Sequence, residues 1–422
     1  MSVIADRLRG IIKAPSGADV VPRAAPAFIR SEGDLETLLD GRWFGHCFIV
    51  ERRMAPAARY GRTTIGDLAA RLHESAHEAP LVCTNAAARP PFVFFDLETT
   101  GLSGGAGSQA FLVGCGMFDE DGGFTTRQYL LARYSDERAM LAAVAEDFSR
   151  AGALVSFNGK SFDAPVLETR YLFHRLEWFA SQQPHIDVLH PARRFWKEDE
   201  CSLGVLEQQV LGASRQHDVQ GFEIPDRYFR FVRSGDPKPL VDVLEHNRLD
   251  LVSLAGLTSR LLEIVRGGPD YADNAREALA LGHVYAAAHA AERALSAYER
   301  AVTLATTSRS RRAPLVLADA LRALAIAYRR ARRFDEAARC WSALIDNGCS
   351  SVVEREAIEA LAIHHEHRRR DLESARVFAL KNVACGDLAR ERWKETARRR
   401  LTRIERKLES AGSAGRLLDD IA

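Results

Sequence analysis

Phe92-Val93-Phe94-Phe95-Asp96-Leu97-Glu98-Thr99-Thr100-Gly101-Leu102 is the stretch around which the chain is organised. An apolar, aromatic run of this length reads as a buried strand. Side chains two positions apart on a strand share a face, so Asp96 and Glu98 lie together at its end. Two like charges held that close in a buried place are unfavourable unless a cation lies between them. Hard divalent ions such as Mg²⁺ take oxygen ligands of this type. The remaining ligands must then come from elsewhere in the chain.

Outward from this strand the pattern is α/β. Residues 101–108 form a glycine-rich turn without the endings of a nucleotide-binding loop. Gln109–Phe118 and Phe124–Leu131 read as two further strands, joined by the Asp- and Gly-rich turn Asp119–Gly123, and make a three-stranded antiparallel meander with the first. A helix follows from Ser135 to about Ala151, then a buried strand at Leu154–Phe157 and a helix to about Leu176. His185–Leu189 reads as a short strand carrying Asp187, and Pro239–Val265 as a long helix carrying His246 and Asp250. The order predicts a mixed sheet, the meander plus parallel strands, with flanking helices and with ligand sites at strand ends. Upstream, residues 1–35 are expected to be partly disordered, with a short helix at Val3–Ile12. Residues 36–90 are expected to form a small adaptor packed on the sheet domain, with a strand at Trp43–Glu51 and a helix at Thr64–His73. His46, alone in an apolar strand, is expected to be packed rather than a ligand.

At 422 residues the chain calls for two or three domains. A net charge of +1 gives no global case for binding a polyanion, so any basic surface must be local. Seven cysteines without a CxxC pair read as free thiols in a reducing cytosol, and a cytoplasmic location is expected. No segment is long and apolar enough for a membrane span or signal peptide.

The other ligands are found at Asp163, just after the fourth strand, and at Asp250 on the last helix. Four carboxylates from three elements, Asp96, Glu98, Asp163 and Asp250, suit two divalent ions about 4 Å apart. His246 lies one helical turn before Asp250 and on the same face, in reach of an attacking water. Asp96-Leu-Glu98-Thr-Thr-Gly resembles the first motif of the DEDD 3′–5′ exonucleases, within the ribonuclease H-like fold. Phe157-Asn158-Gly-Lys160-Ser-Phe162-Asp163-Ala-Pro resembles their second motif, and His246-Asn-Arg-Leu-Asp250 stands where the third should. The resemblance covers roughly residues 90 to 265. It implies that the four acids bind two Mg²⁺ or Mn²⁺ ions and that DNA or RNA is cut from its 3′ end. His246 as general base departs from the family's usual spacing. Thr99, Asn158, Lys160, Phe162 and Arg193 are the expected substrate contacts, with Phe162 a buried anchor before Asp163. Lys160, Arg193 and Arg194 read equally well as solvated surface charge. Asp187 is expected to cap a turn or pair with Arg193 or Arg194.

The sheet domain is thus expected over 91–266. Residues 270–410 change to Ala, Leu, Glu and Arg with helical periodicity, ahead of a tail at 411–422. Ala294, Ala337 and Ala375, each near an aromatic, recur at separations of 43 and 38 residues and resemble tetratricopeptide repeats, whose standard unit is about 34 residues. Such repeats suit a protein partner. The runs Arg368–Arg370 and Arg398–Arg400, interspersed with glutamates, read as ion-paired helix faces. The whole chain is similar to uncharacterised bacterial proteins that join a ribonuclease H-like domain to helical repeats. Two alternatives stand beside the exonuclease: a non-catalytic scaffold that binds nucleic-acid ends, and a structure-specific endonuclease on the same fold.

Overall fold

The computed structural model of the protein describes residues 32–83, 87–101, 108–197, 199–216, 218–384 and 391–419. The expected helix at Val3–Ile12, most of the glycine-rich 101–108 turn and Cys385 lie outside the described residues.

One seven-stranded sheet carries the first domain, in the order β1-β2-β7-β6-β5-β8-β9. Its strands are β1 (Arg42–Phe44), β2 (Cys47–Met54), β5 (Phe92–Thr99), β6 (Ala110–Phe118), β7 (Phe124–Leu130), β8 (Ala153–Ser156) and β9 (His185–Asp187); β3 (Arg59–Tyr60) and β4 (Thr63–Thr64) form a separate small ladder. The meander β5-β6-β7 is antiparallel, and β5 pairs parallel with β8, which pairs parallel with β9. This is the mixed sheet that the pattern of residues predicts.

Residues 36–90 do pack on this domain, but as part of its sheet: β2 pairs antiparallel with β7 from Phe48 to Met54. The expected single strand Trp43–Glu51 is a hairpin, because Gly45 takes φ +58° and turns the chain. His46 therefore sits on that turn, 80% exposed, and is neither packed nor grouped with metal-binding side chains. Helix α2 (Ile65–Ser75) is fixed by a capping box in which the Thr64 hydroxyl accepts from the Asp67 amide and the Asp67 carboxylate accepts from the Thr64 amide.

Alternation along β5 divides the domain into two cores. Val93, Phe95 and Leu97 pack into one, with α3 (Glu137–Ser149), α4 (Asp163–Phe173) and α6 (Ile224–Ser234). Phe92 and Phe94 pack into the other, with α2 and the 27-residue helix α7 (Val241–Gly267). Asp96 and Glu98 follow the even-numbered phenylalanines, so they face α7. The close approach of α7 depends on β6: a Cβ at Gly114 would fall 2.2 Å from Asn247 Oδ1 and 2.9 Å from Leu251 Cδ1. Gly114 thus lets the helix lie nearly on the sheet, while Gly116 makes room for the Phe124 ring, 2.5 Å from where its Cβ would stand.

The core of α7 continues into an all-helical region: α8 (Ala275–Ala287), α9 (Ala291–Thr307), α10 (Ala313–Arg330), α11 (Phe334–Asp346), α12 (Ser351–His364), α13 (Leu372–Ala384) and α14 (Glu391–Asp419), which runs through most of the expected tail. Each helix packs chiefly on the next. Ala294, Ala337 and Ala375 are all buried, and Gly282 lets the Tyr298 ring approach to within 2.4 Å of where a Cβ would stand. No described helix is long and apolar enough to cross a membrane. The basic runs are ion-paired, but between helices as well as along them: Arg400 bonds Glu359 at 2.9 Å, and Arg403 bonds Glu366 at 2.7 Å.

Glu366 ties α14 to the helical region. Its side chain is fully buried and accepts from Arg403 and from Lys407 at 2.7 Å. Burial pushes its carboxyl up, but the bonds from Arg403 and Lys407 outweigh this and hold it at about 2. A folded-state value below the ordinary 4.5 means stability that is present above 4.5 and lost as pH falls toward 2. Docking of α14 is therefore expected to weaken across that window. Glu366→Gln is expected to weaken it already at neutral pH by about 2 kcal/mol, less than a wholly buried pair because both cations are partly exposed. Hydrogen exchange of 391–419 against pH checks both.

Candidate active site

The sheet and α7 bring the four acids to one cleft. Asp96 and Glu98 stand at the end of β5, where a register shift between Glu98 and Thr99 breaks the ladder to β6 and turns the strand end toward the cleft. Asp163 opens α4, directly after the loop from β8. Asp250 and His246 come from α7, one turn apart on the same side. His246 Nε2 lies 3.4 Å from Asp250 Oδ2 and 4.0 Å from Glu98 Oε1.

The electrostatics report the crowding. Burial pushes the Asp96 carboxyl well above the usual range, and Asp250, Glu98 and Asp163 push it further. Glu98 is raised by burial and then by Asp250, Asp163 and Asp218. Burial, with Asp187 nearby, lifts Asp163 to about 7. Burial is the largest cause in each case, and neighbouring carboxylates add to it.

Several residues that the motifs do not mark hold these acids in place. Asn247, fully buried, donates to Asp96 Oδ2 at 2.9 Å and accepts from Gln128 Nε2 at 2.9 Å; Gln128 also donates to the Leu244 carbonyl. Asp218 accepts from His246 Nδ1 at 2.6 Å, which leaves Nε2 turned to Asp250 and Glu98. Arg215 reaches in from the segment before α6. It bonds Asp250 Oδ1 at 2.5 Å, Glu207 at 2.7 Å and Asp218 at 3.1 Å. Glu207 also accepts from Ser253 at 2.6 Å, and Ser253 lies 2.5 Å from the Tyr60 hydroxyl. Asn247 had a signal in the sequence: it is three residues before Asp250 and opposite the glycines of β6. Arg215, Asp218 and Glu207 had none, because their segment has no recognisable period.

Asp187 takes the capping role expected of it rather than pairing with Arg193 or Arg194. Its carboxylate accepts from the backbone amides of Asn158, Lys160 and Leu189 at 2.8–3.1 Å, and so shapes the loop that presents Asp163. That loop requires Asn158 at φ +68° and a glycine at 159, where a Cβ would meet Ser156 Oγ at 2.4 Å. Phe162, expected to be buried, is 50% exposed next to Asp163. Thr99 Oγ1 donates to the Gly101 carbonyl at 2.8 Å. The carbonyl of Arg193 accepts from Arg276 of the helical region at 3.2 Å.

The donor set fits hard divalent ions, since it consists of carboxylate oxygens whose charge lacks compensation. As the side chains stand, no three of His, Cys, Asp and Glu among the described residues are close enough to hold an ion together. Arg215 accounts for part of this, because its guanidinium holds the oxygen of Asp250 that an ion would take. Asn247→Ala is expected to free Asp96 to swing and to lower Mn²⁺ affinity about tenfold. Titration of Mn²⁺ binding checks this.

A profile of the RNase_H superfamily matches residues 93–262, a span that begins in β5, ends in α7 and contains all five predicted catalytic residues. A Bacillus subtilis (strain 168) protein described only as "Uncharacterized protein YprB" is 30% identical over 324 residues, which is 75% of each chain.

Proposed function

The chain belongs to the RNase_H superfamily, and from that premise we propose a metal-dependent nuclease that removes nucleotides from the 3′ ends of DNA or RNA. The observation that carries the reading is the convergence of Asp96, Glu98, Asp163 and Asp250: burial raises the carboxyl groups of Asp96, Glu98 and Asp163, and the other acids of this set raise those of Asp96 and Glu98 further. These four would hold two divalent ions, Mg²⁺ or Mn²⁺, which supply an activated water and neutralise the leaving oxygen of the phosphodiester.

The protein's own groups do the rest. Asn247 holds Asp96 in one rotamer, and Asp187 holds the loop before Asp163, so that both carboxylates are aimed before substrate arrives. Asp218 accepts the Nδ1 proton of His246, which keeps the lone pair on Nε2. Nε2 faces the acids and would take the proton of the attacking water. Phe162, half-exposed beside Asp163, would offer its ring to a terminal base, and Thr99, Asn158 and Lys160 are the further substrate contacts of this reading. The helical region supports a partner-binding role of the tetratricopeptide kind, through its serial helix packing and the buried alanines at 294, 337 and 375.

A second reading, an end-binding scaffold without hydrolysis, draws on the Arg215–Asp250 bond, which occupies one carboxylate with an internal cation. Labelled single- and double-stranded DNA and RNA, each with free and blocked 3′ ends, separate the readings in Mg²⁺. The exonuclease gives a ladder from free 3′ ends only. Cutting that ignores the block indicates an endonuclease, and binding with no product indicates the scaffold.

A further inference from the structure

Helix α7 leads from the acids to a second feature. Arg260 is ten residues beyond Asp250, about 15 Å along the helix. There a cleft of about 480 Å³ opens between the sheet domain and the first helices of the helical region. Its walls carry Arg62, Arg260, Arg276 and Arg312. Two carboxylates also line it, Asp273 and Glu277, and Arg260 engages both, at 2.7 and 3.8 Å.

The other arginines are differently disposed. Arg276 donates to the carbonyls of Arg193 and Arg194 at 3.2 and 3.1 Å, which aims its guanidinium without neutralising it. Arg62 is exposed, and its side chain has no hydrogen bond or ion pair among the described residues. Arg312 pairs with Asp199, whose side chain is 88% exposed, and such a surface pair is weak and easily exchanged. The connector that bears Arg312 reads Ser308-Arg309-Ser310-Arg311-Arg312, and both serines line the cleft.

The cleft is joined to the acids by a second element. The Arg62 amide donates to the Leu211 carbonyl at 3.0 Å, within the segment that carries Glu207 and Arg215. A chain that hung by its end at Asp96 would thus meet these guanidinium groups next.

We propose that this cleft binds the sugar–phosphate backbone of a single-stranded nucleic acid behind the end held at the acids, an inference that rests on the nuclease reading. Guanidinium forks match phosphate oxygens in pairs, and arginines outnumber available carboxylates here although the whole chain carries only +1. An acidic polypeptide is the competing occupant.

The test uses full-length Asp96→Asn protein in EDTA, so that nothing is cut, with fluorescein-labelled oligouridylate and oligothymidylate followed by anisotropy. Arg62→Ala with Arg312→Ala is expected to weaken binding about tenfold and to flatten the dependence of log affinity on log salt by about 0.7 for each lost contact. Lysine at both positions is expected to recover most of the salt slope, which a folding defect would not allow. Unchanged affinity and slope in the alanine variant would overturn the proposal, as would polyglutamate competing as well as the oligonucleotide. Failure of the nuclease reading is scored separately, by absence of hydrolysis in the wild-type protein with Mg²⁺.

Discussion

Asp96→Asn is expected to reduce hydrolysis by about 10³-fold, a loss of ~4 kcal/mol in transition-state stabilisation, while making the metal-free protein more stable. The two halves come from the same geometry. Asparagine keeps an oxygen for the Asn247 amide, so the strand end and α7 remain as they are. It removes one negative charge from a group in which burial, Asp250, Glu98 and Asp163 all oppose ionisation. A carboxyl whose folded-state value is raised binds its proton more tightly in the native state, so stability falls as pH rises through the shifted range. For Asp163 that range extends to about 7. The wild-type protein in EDTA is therefore expected to lose stability between the ordinary carboxylate range and neutrality, and Mg²⁺ is expected to restore it. The asparagine variant should show a higher melting midpoint in EDTA and a smaller gain from Mg²⁺. A lower midpoint in EDTA would mean that Asp96 serves the fold rather than a cation.

Arg215→Met is expected to have the largest effect on stability of any change near the site, a loss of about 3–5 kcal/mol. Arg215 is 8% exposed and bonds Glu207, Asp250 and Asp218, of which Glu207 is 3% exposed. Methionine fills the space but leaves three carboxylates without their cation. Glu207, the most buried of the three, keeps only the Ser253 hydroxyl and carries the largest share of the cost. Urea unfolding checks the magnitude. Glu207→Gln in the Arg215→Met background should cost less than in the wild type, because the two are coupled. Divalent ions should stabilise Arg215→Met more than the wild type, since Asp250 is then free to bind them. A loss within 0.5 kcal/mol, the range of ordinary surface changes, would contradict this account.

The strand with its carboxylates two residues apart, the meander and the long last helix were legible because each depends on a short-range period. Asp96 and Glu98 share a face by alternation, and His246 and Asp250 share one by the helical turn. What could not be read depends on contacts between distant segments. Arg215 is placed by tertiary packing against Glu207 and Asp250, which no local pattern encodes. Asp187 reads in the sequence as a turn cap or as a partner for Arg193 or Arg194, and only the loop at Asn158, which turns backbone amides toward its carboxylate, decides for the cap. The hairpin at Gly45 joined residues 36–90 to the sheet through pairing with β7, a strand some eighty residues later. Phe162 shows the limit of reading aromatics as core: it is 50% exposed.

The central claim is that Asp96, Glu98, Asp163 and Asp250 form one divalent-metal centre. Its most direct test is the number of Mn²⁺ ions bound per chain, measured by electron paramagnetic resonance in the presence of an oligonucleotide with an uncleavable 3′ linkage. The wild-type protein should bind two ions, and Asp96→Asn or Asp250→Asn should bind fewer. Equal binding by the wild type and both variants, or no binding by any, would contradict it.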